Sequence, residues 1–99
     1  MIEIAGYDFD GPYNYEQDIS NAAGIYVILD QRSDVTYVVD VGESETIRER
    51  ITHHDRKTCW KQNVRGRMSI AVHYAEPIQR RKQIERVIRE KYKPACGKE

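Results

Sequence analysis

Two β-rich runs separated by a short polar turn stand out in the first half of the chain. Residues 23–30 read AGIYVILD and residues 36–42 read TYVVDVG, and both are rich in the β-branched and aromatic residues typical of strands. The intervening QRSD is polar, so the two runs predict an antiparallel hairpin. MSIAVHYAE, residues 68–76, predicts a third strand by its alternation.

Helical signals follow the hairpin and close the chain. Ser44 is placed to cap a helix that begins near Glu45. Pro77 suits the first turn of a long helix that runs to about Tyr92. Residues 57–64 predict a further short helix, so strands and helices together predict an α+β fold, a small three-stranded antiparallel sheet flanked by helices.

The length of the chain leaves room for one core. Ninety-nine residues with 39% hydrophobic content fit a single small domain, which we place at residues 23–99. Residues 1–22 contain a Gly-Pro turn signal and predict an acidic, irregular arm packed on that domain. No run is apolar enough for a membrane span and the start is acidic, so we expect a cytoplasmic protein without a membrane partner.

Helix geometry sorts the polar residues after the hairpin. At about 100° per residue, Ile47 and Ile51 define the buried stripe of the first helix. Arg50 and His54 are i, i+4 neighbours to one side of that stripe, whereas His53 points to solvent. We therefore expect Arg50 and His54 to face inward or along an edge.

The same geometry marks one carboxylate in the last helix. Ile84 and Ile88 belong to its apolar stripe, and Glu85 lies at the border. A carboxylate there is costly to bury unless it is paired or bound to a metal. An ion pair with Arg50 or Arg81 is therefore the simple alternative to a functional role for Glu85.

Charge is divided unevenly along a chain whose net charge is zero. Residues 1–43 hold nine acids and one base, whereas residues 44–99 hold fifteen bases and seven acids. Clustered lysine and arginine favour an anionic partner, because phosphate contacts release counterions. The alternative is that the two halves neutralise each other in the fold. The two cysteines, Cys59 and Cys96, form no CxxC pair, so we expect unlinked thiols.

Several of these residues resemble the motifs of the GIY-YIG nuclease superfamily over about residues 23–97. The elements occur in the family's order: GIY at 24–26, VDVGES at 39–44, Arg50, His54, Glu85 and Pro94. The resemblance implies the α+β fold given above and hydrolysis of a phosphodiester with one divalent ion, Mg²⁺ or Mn²⁺.

The resemblance also implies a role for each matching residue. Glu85 corresponds to the metal-binding carboxylate, and Arg50 to the arginine that neutralises the phosphoryl group. Tyr26 corresponds to the tyrosine that orients or deprotonates the attacking water. His54 corresponds to a histidine that assists proton transfer. Tyr26, Arg50 and Glu85 are then expected around one concave surface, since one phosphate must touch all three.

The sequence departs from the family pattern at the second motif tyrosine. Asp40 stands where that tyrosine belongs, two residues before Gly42, and Tyr37 lies three residues earlier. Tyr37 and Asp40 point to opposite faces of a regular strand, so one cannot replace the other without a bulge. Asp40 could be a second metal ligand beside Glu85 or a stronger base than a phenol, or it could pair with Arg50 in an inactive site.

Two functions fit this pattern. The first is a metal-dependent endonuclease that acts on DNA or RNA, with DNA as the expected partner. The second is a module of the same fold that binds nucleic acid or protein without cleavage. We take the chain as a monomer. We expect nucleic acid to dock on the face that carries Arg50 and the basic residues after it, which are Arg56, Lys57, Lys61, Arg65 and Arg67.

Overall fold

The computed structural model describes residues 1–97, which form five β-strands and three α-helices. In chain order these are β1 (Ile2–Ile4), β2 (Tyr7–Tyr13), β3 (Gly24–Gln31), β4 (Thr36–Ser44), α1 (Ile47–Thr52), α2 (Lys57–Asn63), β5 (Arg67–Tyr74) and α3 (Ile78–Tyr92). A single 3₁₀ turn, Glu16–Asp18, lies between β2 and β3.

All five strands belong to one curled antiparallel sheet with the order β1-β2-β5-β3-β4. The α+β class is therefore confirmed, but the predicted three-stranded sheet is wrong, because residues of the supposed irregular arm form β1 and β2. Their hairpin turns at Ala5 and Gly6, which both have positive φ, 53° and 86°. Such a turn usually carries Asn-Gly or Asp-Gly, and alanine at positive φ hides it in the sequence.

Helices cover both faces of the sheet. Tyr26 and Ile28 of β3 pack with Ile47 of α1 and Trp60 of α2 on one face. The alternate residues of β3 pack with α3 on the other face, as the period of a strand requires. That second core contains Ile25, Val27, Leu29, Val41, Ile84 and Ile88.

Two hydrogen bonds stabilise the start of α1, one from the residues just before the helix and one from Asn21, which precedes β3. The Oγ of Ser44 accepts a hydrogen bond from the backbone N–H of Thr46, so the helix begins at Ile47 and not near Glu45. Its first turn is held from outside, because the Asn21 side chain accepts from the Glu49 N–H at 3.0 Å. This contact satisfies one of the free donors at a helix start.

The chain after α3 folds back as a strap, residues 93–97, along the free edge of β4. The backbone N–H of Cys96 donates to the carbonyl oxygen of Val39 at 3.0 Å. Cys96 also forms a disulfide with Cys59 of α2. The prediction of unlinked thiols is therefore wrong, since cysteine spacing alone does not reveal which segments meet in space.

None of the helices within residues 1–97 combines the length and the apolar character needed to cross a membrane.

Candidate functional site

Tyr26 occupies the centre of the candidate site, where β3 and β4 pair. Its Cα lies opposite that of Gly42, and a Cβ at position 42 would overlap the hydroxyl and ring of Tyr26. The glycine of the VDVG motif is thus required because the tyrosine ring crosses directly over the neighbouring strand. Only 1% of Tyr26 is exposed.

The hydroxyl of Tyr26 makes a buried hydrogen bond to His54. Its oxygen lies 2.6 Å from His54 Nε2, and the His54 Nδ1 accepts the backbone N–H of Arg56 at 3.0 Å. The Nδ1 is also 3.4 Å from an oxygen of Asp55, but the Arg56 N–H is closer and points at the nitrogen. In neutral His54 the proton must therefore be on Nε2, which donates to the phenol oxygen.

Burial shifts the pKa values of both partners away from neutral pH. It raises the pKa of Tyr26 to about 12, although the cations Arg50 and Arg56 oppose this. It lowers the pKa of His54 to about 4, and here the same two cations add to the effect. The pair at neutral pH is thus a phenol and an uncharged imidazole. Two titratable groups shifted this far mark a candidate functional site.

We expect His54 to make the fold sensitive to mild acid. An unfolded histidine has a pKa of about 6.5, so between that pH and about 4 the unfolded chain binds a proton that the folded chain does not. The stability from neutral His54 is complete above about pH 6.5 and is lost as the pH falls towards 4. Urea unfolding should show about 2–3 kcal/mol more loss between pH 7 and 4.5 in the parent than in His54→Gln.

The matched control is His53→Gln, because His53 is exposed. This variant should keep the acid sensitivity of the parent. Parallel curves of stability against pH for the parent and His54→Gln would contradict the assignment.

Asp40 is a buried anchor, not a group that faces a cleft. It has no exposed surface and accepts hydrogen bonds from Arg56 Nε and Trp60 Nε1, both at 2.8 Å, and from Arg89 Nη2 at 3.2 Å. Burial alone would raise the pKa of Asp40, but the bonds from Arg56 and Trp60 outweigh it and hold the pKa below its ordinary value. Its partners are Arg56, Trp60 and Arg89, so the predicted pairing with Arg50 is wrong. Complete burial argues against the predicted roles of Asp40 as a base and as a second metal ligand.

Glu85 reaches the same region from the other side of the sheet. Its helix, α3, packs on the face opposite Tyr26. The Glu85 carboxylate nevertheless lies near Tyr26, because its negative charge adds to burial in raising the pKa of the phenol. The charges meet around the β4 edge, where Arg89 contacts the Asp40 carboxylate at 3.2 Å and Glu85 Oε2 at 3.6 Å. Glu85 is thus ion-paired within its own helix, with Arg89 and not with Arg50 or Arg81. The Arg81 guanidinium is buried against Glu43 at 2.9 Å.

Glu85 lies among cations at the edge of an open cavity. Burial and the nearby negative charge of Glu43 raise the pKa of Glu85, while Arg89 opposes them. Glu85 lines an open cavity of about 310 Å³ with Lys82, Arg86 and Arg89. One carboxylate among three cations repels a bare cation, but a divalent ion often has one carboxylate, waters and substrate phosphates as ligands.

Metal-ligating side chains do not cluster further in the part of the chain that the structure describes. Within residues 1–97, no group of three or more His, Cys, Asp or Glu side chains could hold a metal ion. A metal ion at Glu85 thus stays a prediction that rests on the family resemblance.

Of the two other predicted site residues, Arg50 lies near Tyr26 and Tyr37 does not. Arg50 is about one-third exposed and bonds through Nη2 to Asp55 at 3.1 Å, so its charge remains near Tyr26 at the protein surface. Tyr37 lies opposite Asp30 in the strand pair, four positions from the Tyr26 pairing, and its ring lies under the Arg32 guanidinium. The structure therefore does not bring Tyr37 to the candidate site.

The predicted nucleic-acid face is only partly free. Arg56 is bound to Asp40, and Lys57 lies 3.8 Å from Glu16. The remaining members of this face, Lys61, Arg65 and Arg67, are exposed. Within residues 1–97, four ion pairs join an acid of the first half to a base of the second, so the two halves neutralise each other in part. These pairs are Asp40–Arg56, Asp40–Arg89, Glu43–Arg81 and Glu16–Lys57.

Two residues of this region have no role in the sequence motifs. Trp60 donates to Asp40, and its ring lies 4.5 Å from the His54 ring between centroids. Arg89 contacts both Asp40 and Glu85. Its Nη1 also donates to the carbonyl oxygens of Cys96 and Gly97 in the strap, at 3.1 and 2.8 Å. The spacing of Arg89 four residues after Glu85 is the one signal in the sequence that could have indicated its pairing.

Comparison of the chain with protein-family models, with curated proteins and with solved structures gives no match. The likeness to GIY-YIG nucleases thus rests on the motif residues.

Proposed function

We propose that this protein is a metal-dependent endonuclease that hydrolyses phosphodiester bonds in DNA or RNA. The observation that carries the proposal is the buried Tyr26–His54 pair under the field of Arg50. The phenol and the imidazole are 2.6 Å apart, their pKa values are shifted in opposite directions, and both feel the Arg50 charge. A buried, hydrogen-bonded pair of strongly shifted titratable groups is typical of a functional site, and the family resemblance supplies the reaction.

In this proposal each side chain acts through an atom whose environment is known. The Tyr26 oxygen accepts the His54 Nε2–H, so its own O–H is free to orient the attacking water. Because its pKa is about 12, the phenol is protonated at neutral pH. Negative charge that develops on its oxygen is stabilised by the His54 N–H, and Arg50 stabilises charge on the phosphoryl oxygens. His54 acts as a donor that positions Tyr26, since its Nδ1 already accepts Arg56.

Glu85 would hold the divalent ion, Mg²⁺ or Mn²⁺, which when bound supplies Lewis-acid stabilisation of the phosphate charge. Lys82, Arg86 and Arg89 around the carboxylate attract the phosphate. We therefore expect metal and nucleic acid to bind together at Glu85, with little affinity for the metal alone.

The test is nicking of supercoiled plasmid and cleavage of single-stranded RNA, each with Mg²⁺ or Mn²⁺. Glu85→Gln and Tyr26→Phe should each lower the cleavage rate by about 100-fold or more, as loss of a group that stabilises the transition state does. Glu90→Gln is the matched control, because Glu90 is exposed on the same helix. Equal cleavage by the parent and Glu85→Gln would exclude the proposal.

A second candidate function is favoured by the burial of Tyr26 and the pairing of Glu85 with Arg89. In that case the fold binds nucleic acid or a protein without cleavage. Retained nucleic-acid binding with no cleavage in either metal would select this candidate over the nuclease.

A further inference from the structure

An apolar cavity opens on the face of the sheet that carries Tyr26. Its volume is about 130 Å³, and its floor is formed by core side chains, namely Ile28, Ile51, Trp60 and Ile70. Ile28 follows Tyr26 by two residues on the same side of β3, a distance of about 7 Å along the strand. The cavity thus lies beside the candidate site.

The rim of this cavity is charged. Lys57 and Lys61 line it from α2, where their i, i+4 spacing places them on one face of the helix. Glu16 also lies on the rim, with its carboxylate 3.8 Å from the Lys57 ammonium. Lys61 makes no ion pair within residues 1–97. An apolar floor with a positive rim suits a flat ring attached to an anionic group.

A second cavity, of about 300 Å³, adjoins the first because Met68 lines both. Its other lining residues are Asn14, Tyr15 and Arg67. Tyr15 is 62% exposed and lines this cavity together with the basic Arg67. Exposed aromatic rings and basic side chains in alternation are what proteins use to bind single-stranded nucleic acid.

We propose that these two cavities bind an unpaired stretch of nucleic acid, with one base in the first cavity and a neighbouring base stacked on Tyr15. Lys61 and Arg67 contact the connecting phosphates. The proposal rests on the proposed function, and it adds the class of substrate, since bases within a duplex do not present their faces for stacking.

The single tryptophan of the chain, Trp60, reports on the first cavity directly. We would titrate the protein with a short single-stranded DNA, with the same strand lacking its bases, and with a duplex of equal length. Binding itself is followed by the anisotropy of a label on each DNA. The intact single strand should change the Trp60 fluorescence saturably and bind about tenfold more tightly than the strand without bases.

Variants with matched controls separate stacking from charge. Tyr15→Ala should weaken single-strand binding about tenfold, whereas Tyr92→Ala, which removes a partly exposed tyrosine from α3, should not. Lys61→Gln should lower the salt dependence of binding by about one phosphate contact, unlike Lys91→Gln in the last turn of α3.

Four outcomes would overturn the proposal. Equal affinity for strands with and without bases, or preference for the duplex, would remove this surface while the proposed nuclease function stands. Tight single-strand binding with no change at Trp60 and no effect of Tyr15→Ala would place the strand elsewhere. If no nucleic acid binds at all, the proposed function fails together with this inference.

Discussion

Asp40→Asn is expected to destabilise the protein by about 3–5 kcal/mol, the usual effect of removing one charge from a buried ion pair. The Asp40 carboxylate has no exposed surface and compensates two guanidinium groups, of Arg56 and Arg89, whose side chains are 29% and 21% exposed. It also accepts the Trp60 indole N–H. An amide would leave Arg56 without its anion and would leave Arg89 with Glu85 alone. The NH2 group of the amide would also face a donor at one of its two positions.

Urea unfolding followed by circular dichroism measures this loss without relying on Trp60, whose own contact changes. The control is Asp34→Asn in the exposed β3–β4 turn, which should stay within about 0.5 kcal/mol of the parent. If Asp40→Asn behaves like this control, then Asp40 is not the anchor that the structure shows.

The elements around the site could be predicted from the sequence because their patterns are local. The predicted strands at 23–30, 36–42 and 68–76 agree with β3, β4 and β5 within about two residues, and the last helix ends at Tyr92 as predicted. Alternation and helical periodicity are properties of neighbouring residues, so a single sequence contains them. The β1–β2 hairpin was missed because its turn uses alanine where a glycine or asparagine would have announced it.

The contacts of the candidate site depend on distant segments, which limits what the sequence can predict. Asp40 binds Trp60, twenty residues away, and Arg89, forty-nine residues away. A helical wheel places Glu85 at the border of its apolar stripe, but it does not determine which face of the sheet that helix covers. The pairing of Tyr26 with Gly42 is also hidden, although both lie in one hairpin. The register shifts between Ile28 and Leu29, so a count from the turn would place Tyr26 opposite Val41.

Loss of the Cys59–Cys96 disulfide is expected to destabilise the protein by about 4 kcal/mol, from the 37 residues that separate the cysteines and the chain entropy that the link removes. The strap would keep its hydrogen bonds from Cys96 to Val39 and from Arg89. These few contacts do not replace the link, because one hydrogen bond contributes only about 1 kcal/mol to stability.

The experiment compares urea unfolding of the parent with and without reductant and of the Cys59→Ser, Cys96→Ser double variant. The reduced parent and the double variant should unfold at similar, lower urea concentrations, and the variant should not respond to reductant. Identical midpoints for oxidised and reduced parent would contradict the link.

The same disulfide bears on the expectation of a cytoplasmic protein, because cytosolic thiols are kept reduced and stable disulfides belong mainly to oxidising compartments. We expect the disulfide to survive in a glutathione buffer at the reduction potential of the cytosol if the free energy by which it stabilises the fold exceeds the free energy of its reduction by glutathione. Mass spectrometry of alkylated thiols after this equilibration decides the matter. Full alkylation of both cysteines would mean that, at cytosolic reduction potential, the strap is held by hydrogen bonds alone. The stability of the protein in the cytosol would then be that of its reduced form.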